Sequence, residues 1–274
     1  MGAMRLAKNA LKETFPAIWL EWHFLRRPRS AEVELNYLER IIPDDAVTVD
    51  IGANCGLYTR QLARCSRKVL AFEPARQMAN LLRRTVASNV EVHEVALSDQ
   101  DGIATLSVPL GGGQPVHSLA SIEARDSNGP HATEEVRTAR LDSVVQEPVA
   151  FVKIDVEGHE LRVLNGATGL LDRSRPIFLV ESEERHRPGT TASVFEFFAS
   201  RGYDGFFVLG DAIKPVSEFE PEALQDTDAL VADGGRKEGR WYVNNFFFFP
   251  RERDGRRALA GGLQASPLET SLQS

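Results

Sequence analysis

The sequence predicts an α/β fold in which helices cover both faces of a largely parallel sheet, and three observations support this. Short β-branched runs alternate with segments of helical spacing, which is typical of a doubly wound sheet. A strand, a glycine-rich turn and a helix follow one another within residues 47–66. Acidic residues come directly after several predicted strands. A chain of 274 residues suits one large domain.

The glycine turn lies in the run Val47–Thr59 and has the pattern Asp-x-Gly-x-x-x-Gly. Gly52 and Gly56 have no Cβ, so the backbone can approach a ligand closely. The pattern differs from the Gly-x-Gly-x-x-Gly turn that places a pyrophosphate at a helix N-terminus. Asp50, the first residue of the pattern, would repel phosphate but suits an ammonium group. S-adenosylmethionine has such an ammonium and no phosphate.

A second acid, Glu73, follows the next predicted strand, residues 69–72. In nucleotide-binding folds an acid about 20 residues past the glycine turn accepts hydrogen bonds from ribose hydroxyls. Asp50 and Glu73 therefore suit a ligand with an ammonium at one end and a free ribose diol at the other. The simpler alternative is a strand, turn and helix whose acids only cap helices.

The remaining elements are assigned from periodicity. Helices are expected over residues 57–66, 75–88 and 192–201. Further strands are expected at 90–95, 103–108, 136–140, 150–154, 177–180, 206–209 and 246–249. The glycine-rich stretch 109–131 is expected to be a loop near the mouth of the active site.

Domain boundaries follow from this assignment. We expect an N-terminal helical extension over residues 1–42, a main domain over 43–251 and a frayed polar tail over 252–274. Residues 1–30 mix basic and aromatic side chains, and a helix packed on the core is favoured over a lid, a partner surface or a membrane contact.

Composition limits the partners. The formal net charge of −7 argues against a broad nucleic-acid surface, although a local basic patch is compatible with it. No apolar run approaches a membrane span, and the N-terminus has no signal-peptide core. Cys55 and Cys65 are expected to be reduced thiols in a cytoplasmic protein, and a homo-oligomer is possible.

A second dense motif covers Phe151–Glu160, where a buried strand is followed by Asp155, Glu157 and His159. The next strand ends in a similar polar cluster that runs from Glu181 to His186. Because the carboxyl ends of parallel strands meet at one edge, both clusters are expected beside Asp50 and Glu73.

These motifs resemble the FkbM-type methyltransferases, a branch of the S-adenosylmethionine-dependent class I fold. The resemblance covers roughly residues 40–250, and the block Lys-Ile-Asp-Val-Glu-Gly is its most specific part. The runs that carry it are Val49–Thr59, Phe72–Pro74, Ala96–Asp99, Leu141–Ser143, Lys153–Glu160, Val163–Ala167 and Asn245–Pro250. It implies a seven-stranded sheet with a reversed last strand. It also implies methyl transfer, usually to a hydroxyl of a sugar, glycolipid, polysaccharide or polyketide-type product.

The expected contacts with the cofactor S-adenosylmethionine come from the glycine turn and from the ends of neighbouring strands. They are Asp50, Gly52, Asn54, Gly56, Tyr58, Thr59, Glu73, Ala96 and Asp155. Ala96 follows the third predicted strand, where an adenine would rest on the sheet edge.

A hydroxyl is a poor nucleophile at neutral pH and needs a general base or a metal to take its proton. The candidates are Asp155, Glu157, His159, Glu181 and His186. We predict His186, Asp155 and Glu181 as catalytic residues, because histidine is the natural base near pH 7 and the place of His186 resembles the family pattern. His159 ranks second, and a structural role is the alternative for each histidine.

Metal dependence stays open in the sequence. Asp155 and Glu181 end adjacent predicted strands, so Mg²⁺ is possible there, but no metal ligand is assigned. Lys153 stands just before these acids and is expected to pair with one of them or to have a purely structural role.

The acceptor is expected to be a small molecule or a glycan and not a nucleic acid. The alternatives are a protein or nucleic-acid methyltransferase, or a non-catalytic domain that binds S-adenosylmethionine. The acids after the fourth and fifth strands favour an enzyme, because a binding domain would not need them. No motif identifies the acceptor itself.

Overall fold

The computed structural model describes residues 32–111, 113–123, 129–231 and 237–261. The predicted helix in residues 1–30 and most of the predicted tail lie outside these ranges. A 3₁₀ turn over Val33–Tyr37 leads directly into the first α-helix, which supports the helical prediction for the second part of the extension.

Twelve strands and nine α-helices are present in the described part of the chain. The strands are β1 (Val47–Ile51), β2 (Lys68–Phe72), β3 (Val90–His93), β4 (Ala96–Leu97), β5 (Gly102–Gly111), β6 (Gln114–Pro115), β7 (His131–Ala139), β8 (Phe151–Ile154), β9 (Ile177–Glu181), β10 (Tyr203–Leu209), β11 (Ala212–Pro215) and β12 (Asn245–Pro250). The helices are α1 (Leu38–Ile41), α2 (Leu57–Cys65), α3 (Arg76–Thr85), α4 (Leu141–Val144), α5 (Glu160–Asn165), α6 (Thr168–Ser174), α7 (Thr190–Ala199), α8 (Pro221–Leu224) and α9 (Gly255–Ala260).

The main sheet has the strand order β11-β10-β12-β9-β8-β1-β2-β3. Strands β3, β2, β1, β8 and β9 are parallel, and β12 runs antiparallel to both β9 and β10. This order confirms the doubly wound α/β fold with a reversed last strand. The chain changes direction across the sheet between β1 and β8, and a ligand crevice is expected at such a switch point.

The strand count differs from the prediction. The sheet has eight strands because β11 pairs antiparallel with β10 at the outer edge. The sequence places this stretch in a polar connection between the last two strands. Edge strands are short and polar in many proteins, so periodicity identifies them poorly.

Two apolar layers form the core, one on each face of the main sheet. In β12, Phe246 and Phe248 pack on the side of α5, α6 and α7, whereas Phe247 and Phe249 pack on the side of α1, α2 and α9. This is the alternation that a strand covered on both faces requires.

The predicted extra hairpin forms a second sheet with the order β4-β7-β5-β6. Its long pair, β5 and β7, is antiparallel as far as Pro109 and His131, the two ends of the predicted loop 109–131. Within that loop β5 continues to Gly111 and pairs with β6. The described parts of that loop therefore have more structure than the sequence indicates, including a 3₁₀ turn at His117–Leu119.

The described part of the predicted frayed tail is ordered. Helix α9 is capped by Asp254, whose carboxylate accepts a hydrogen bond from the Arg257 N–H at 2.9 Å. The side chain of Leu259 is 1% exposed and packs into the core beside α1. Among the described helices, none is long and apolar enough to cross a membrane.

We expect Leu259→Ala to lower the free energy of unfolding by about 2–5 kcal/mol, because the change leaves a cavity in the core. Urea unfolding followed by circular dichroism measures this. The matched control is Ile103→Ala, since Ile103 is 73% exposed and its truncation is expected to change stability by at most about 0.5 kcal/mol. Equal small effects of both changes would show that the end of the domain lies before α9.

Candidate active site

A cavity of about 930 Å³ opens at the carboxyl ends of β1, β2, β8 and β9. Most of the predicted site residues line it: Asp50, Gly52, Asn54, Tyr58, Glu73, Ala96, Asp155 and Glu181. The acids that follow separate strands therefore share one hollow. Gly56, Thr59 and His186 are not among the lining residues, and each has a different place described below.

The glycine turn lies so close to β8 that a side chain would not fit. A Cβ on Gly52 would lie 1.8 Å from the carbonyl oxygen of Asp155, and its φ is +79°. Gly56 also has a positive φ, +89°, and a Cβ there would lie 2.7 Å from Leu82 Cδ2. Gly52 therefore shapes the cavity directly, whereas Gly56 lets α2 begin against α3.

Asp50 is the last but one residue of β1 and is 2% exposed. The hydroxyl of Thr59 donates a hydrogen bond of 2.5 Å to its Oδ2. Burial raises the pKa of Asp50 to about 6, against the opposing effects of the Thr59 bond and the charge of Lys153. Thr59 thus orients the carboxylate and leaves Asp50 as the group that faces the cavity, where an ammonium would stabilise its charge.

Glu73 connects the glycine turn to the start of α3. Its Oε2 accepts a hydrogen bond from the Asn54 N–H and its Oε1 one from the Ala75 N–H, each at 2.8 Å. Burial raises the pKa of Glu73 to about 7, and the two backbone bonds oppose this. The carboxylate keeps unused lone pairs, so it can still accept bonds from a pair of ligand hydroxyls.

The cavity wall beyond Glu73 is apolar. It is formed by Phe72, Val95, Ala96, Leu97, Leu106 and Ile122. Such a wall suits a flat aromatic base, and Ala96 is the lining residue that the sequence predicts there. Ile122 belongs to the insert between β5 and β7, so the second sheet supplies part of this wall.

The other end of the cavity contains a pair of buried acids, Asp155 and Glu181. Burial raises the pKa of Asp155 to about 6, and burial together with the charge of Asp155 raises the pKa of Glu181 well above its ordinary value. A hydrogen bond joins the two side chains. The two carboxyl groups titrate as a coupled pair, because a charge on one disfavours a charge on the other.

Lys153 supplies the positive charge beside this pair. Its Nζ lies 3.8 Å from Glu181 Oε2 and donates a hydrogen bond of 2.9 Å to Asn245 Oδ1. A Mg²⁺ bound by the pair would have to share this place with the ammonium. In the described part of the chain, no group of three or more His, Cys, Asp or Glu side chains has an arrangement that could hold a metal ion.

The polar cluster that the sequence predicts after β9 lies next to the pair, but its contacts with Tyr242 and Asn244 were not predicted. Glu183 accepts hydrogen bonds from Arg185 at 2.6 and 2.9 Å and another from the hydroxyl of Tyr242. Asn244 donates a hydrogen bond of 2.8 Å to Glu181 Oε1. These contacts join the end of β9 to the segment before β12, and no local sequence pattern predicts them.

His186 is held between two carboxylates. Its Nε2 lies 2.9 Å from Glu157 Oε2 and 3.4 Å from Glu183 Oε1, and its side chain is 7% exposed. Burial opposes its charge, but the bonds to both acids outweigh this and raise the pKa of His186 to about 9. The ring is therefore charged at pH 7, and this placement lends no support to its predicted role as a neutral base.

His159 bridges the two sheets and is also occupied. Its Nε2 lies 2.9 Å from Ser98 Oγ, and its Nδ1 lies 2.6 Å from Glu123 Oε1. Burial lowers the pKa of His159, although Glu123 opposes the shift. Since it lines the cavity and stays neutral more readily than His186, it keeps its place as the second histidine candidate.

A parallel sheet of this order, with a glycine turn and acids around one crevice, defines a class I, Rossmann-like methyltransferase domain. Residues 50–204, more than half of the chain, match the family described as the methyltransferase FkbM domain. The chain therefore belongs to the FkbM methyltransferase family.

The similar proteins are distant. The chain is 30% identical over 176 residues to Methyltransferase 1 of Beauveria bassiana, a match that covers 55% of this chain and 69% of that protein. It is 27% identical over 240 residues to the AMB antimetabolite synthetase AmbE of Pseudomonas aeruginosa, covering 67% of this chain but 11% of AmbE. Methyltransferase FkbM of Methylobacillus flagellatus has a crystal structure that matches with a TM-score of 0.47, 15% identity and coverage of 75% of this chain and 44% of that chain.

We expect the ion pairs of His186 to stabilise the fold in a pH-dependent way. Because its pKa is raised from 6.5 to about 9, this contribution is fully present below pH 6.5 and is lost as the pH rises through about 9. Its size is roughly 2–3 kcal/mol. Urea unfolding of the wild type and of His186→Gln between pH 6 and 10 should show a stability difference that shrinks with pH.

The control for this experiment is His131→Gln, because His131 is exposed and should give a stability difference that is constant over the same range. A constant difference for His186→Gln as well would mean that His186 is neutral in the folded protein, and the base role would regain support.

Proposed function

We propose that this methyltransferase uses S-adenosylmethionine to methylate a hydroxyl of a glycan or of a polyketide-type small molecule. The observation that carries the proposal is the single cavity that Asp50, Glu73, Asp155 and Glu181 share. One half of it suits the donor and the other half suits an acceptor with a proton to lose.

The donor half fits S-adenosylmethionine by chemistry and by space. Asp50 would bind the ammonium of the methionine part, Glu73 the ribose hydroxyls, and the apolar wall around Ala96 the adenine. The missing Cβ at Gly52 keeps the floor of this half open, because a larger residue would collide with Asp155. When bound, the donor supplies a methyl group on a positively charged sulfur.

The acceptor half offers a base in the Asp155–Glu181 pair. The hydroxyl oxygen attacks the methyl carbon, the carbon–sulfur bond breaks, and the hydroxyl proton passes to the carboxylate of the pair. The products are a methyl ether, S-adenosylhomocysteine and a fully protonated pair. Positioning of the oxygen in line with carbon and sulfur supplies much of the acceleration, and the base a further factor of roughly 10²–10⁴.

The lining of the acceptor half favours an uncharged, hydroxyl-bearing acceptor. Glu157, Glu181 and Glu183 repel phosphate groups, and the only cations among the described lining residues, Lys153 and Arg185, are already paired with acids. This weakens the alternative of a nucleic-acid acceptor, which needs unpaired basic groups. The name of AmbE, an antimetabolite synthetase, agrees with a natural-product acceptor.

We expect Asp50→Asn and Glu73→Gln each to weaken S-adenosylmethionine binding at pH 8 by about tenfold or more, because each loses a charge-assisted interaction with the ligand. Isothermal titration calorimetry measures the affinity directly. The matched control is Glu91→Gln, since Glu91 is exposed on β3 and should leave the affinity unchanged. Saturable binding that survives both changes would place the donor elsewhere.

We expect the double change Asp155→Asn with Glu181→Gln to lower turnover by roughly 10²-fold, because the pair can then no longer take the acceptor proton. Release of S-adenosylhomocysteine in the presence of a panel of glycan and polyketide hydroxyls gives the rate. Donor affinity by calorimetry should stay within about threefold of the wild type. If turnover is retained in this double variant and lost in His159→Gln, the base is the histidine.

A further inference from the structure

Lys153 is a charged residue of the most specific motif to which the proposed reaction assigns no step. It lies in β8, is 0% exposed and lines the cavity between Asp50 and the Asp155–Glu181 pair. A fully buried lysine is rare, because its charge loses the solvation of water. If its role were only to fill space, methionine or leucine would do so at no electrostatic cost.

The ammonium is fixed by contacts from several elements. Besides the bond to Asn245 of β12, it donates to the Ile154 carbonyl oxygen at 3.3 Å and lies 4.8 Å from the ring centre of Tyr58. Asn245 is 92 residues away along the chain, so the reversed strand of the sheet supplies the anchor.

Acids from every neighbouring element face this cation. They are Asp50 of β1, Asp155 after β8, Glu181 of β9 and Glu32 before the first turn, with Glu157 and Glu183 next to the pair. Burial works against the ammonium, but these acids together raise the pKa of Lys153, so it stays charged. In the described part of the chain, the Lys153 ammonium is the only positive charge buried between Asp50 and the Asp155–Glu181 pair.

We propose that Lys153 is a positioning residue for catalysis, whose ammonium, anchored by Asn245, keeps the Asp155–Glu181 pair singly ionised and therefore able to accept the proton of the acceptor hydroxyl. This inference rests on the proposed function. Without the cation the buried pair would hold its protons to a higher pH, and the carboxylate that serves as the base would be absent near neutrality.

The first test needs no acceptor. Urea unfolding of Lys153→Met is compared with the wild type between pH 5 and 8. We expect the gap between their midpoint urea concentrations to widen at least about twofold over this range, because the variant must ionise buried acids without a counter-charge. The matched control is Lys68→Met, whose ammonium pairs with Glu147 and Glu91 at the surface. For Lys68→Met, the difference in midpoint urea concentration from the wild type should stay constant over this pH range.

The second test follows methyl transfer against pH with the hydroxyl acceptor found above. In Lys153→Met the rising limb of the profile should move to higher pH by about one unit or more, while S-adenosylmethionine affinity at pH 8 changes less than about threefold. Asn245→Ala, which keeps the cation but removes its anchor, should move both readouts in the same direction by less. If Lys153→Met does not fold, Asn245→Ala takes its place in both measurements.

A constant stability gap together with an unshifted profile would overturn the proposal, since a lysine that only packs would lower turnover equally at every pH. If the wild type does not bind S-adenosylmethionine, the proposed function fails, whereas the unfolding experiment still decides whether Lys153 controls the ionisation of the pair.

Discussion

The structure depends on how it accommodates ionisable side chains that are buried at one edge of a parallel sheet. A buried carboxylate is costly unless hydrogen bonds or an opposite charge compensate it. Here each acid is compensated differently: Asp50 by a hydroxyl, Glu73 by two backbone N–H groups, and the Asp155–Glu181 pair by the charge of Lys153. Each compensating group comes from a neighbouring element, so the site exists only in the folded domain.

The compensation is incomplete where ligands are expected. The pKa values of Asp50 and Glu73 stay raised, at about 6 and 7, which means that their ionised forms are destabilised in the protein alone. By contrast, Glu183 is compensated by Arg185 and His186, and its pKa lies well below the ordinary value despite burial. Acids that have partners have structural roles, and acids without full compensation are the ones a cationic or hydroxyl-bearing ligand would stabilise.

The sequence was sufficient for features that depend on local residues and on one topological rule. The Asp50–Gly56 turn and Glu73 are local patterns, and the rule that parallel strands end at one edge brought Asp155 and Glu181 to them. It was insufficient where partners are far apart in the chain. Glu183 stands three residues before His186, but nothing near His186 indicates its second partner, Glu157. The contact of Tyr242 with Glu183 spans 59 residues. The strand β11 and the helix α9 were missed because short amphipathic elements are stabilised by packing and have little periodicity of their own.

The same division separates the proposed donor half of the cavity from the proposed acceptor half. The donor half is built mainly from consecutive elements, β1 to β5, and its shape depends on backbone contacts such as the approach of Gly52 to Asp155. The acceptor half is assembled from the ends of β8 and β9 and from the segment before β12, with side-chain contacts at its wall. Arg185 and Tyr242 belong to this wall and compensate Glu183, whereas Lys153 lies at the boundary, where its charge faces acids of both halves.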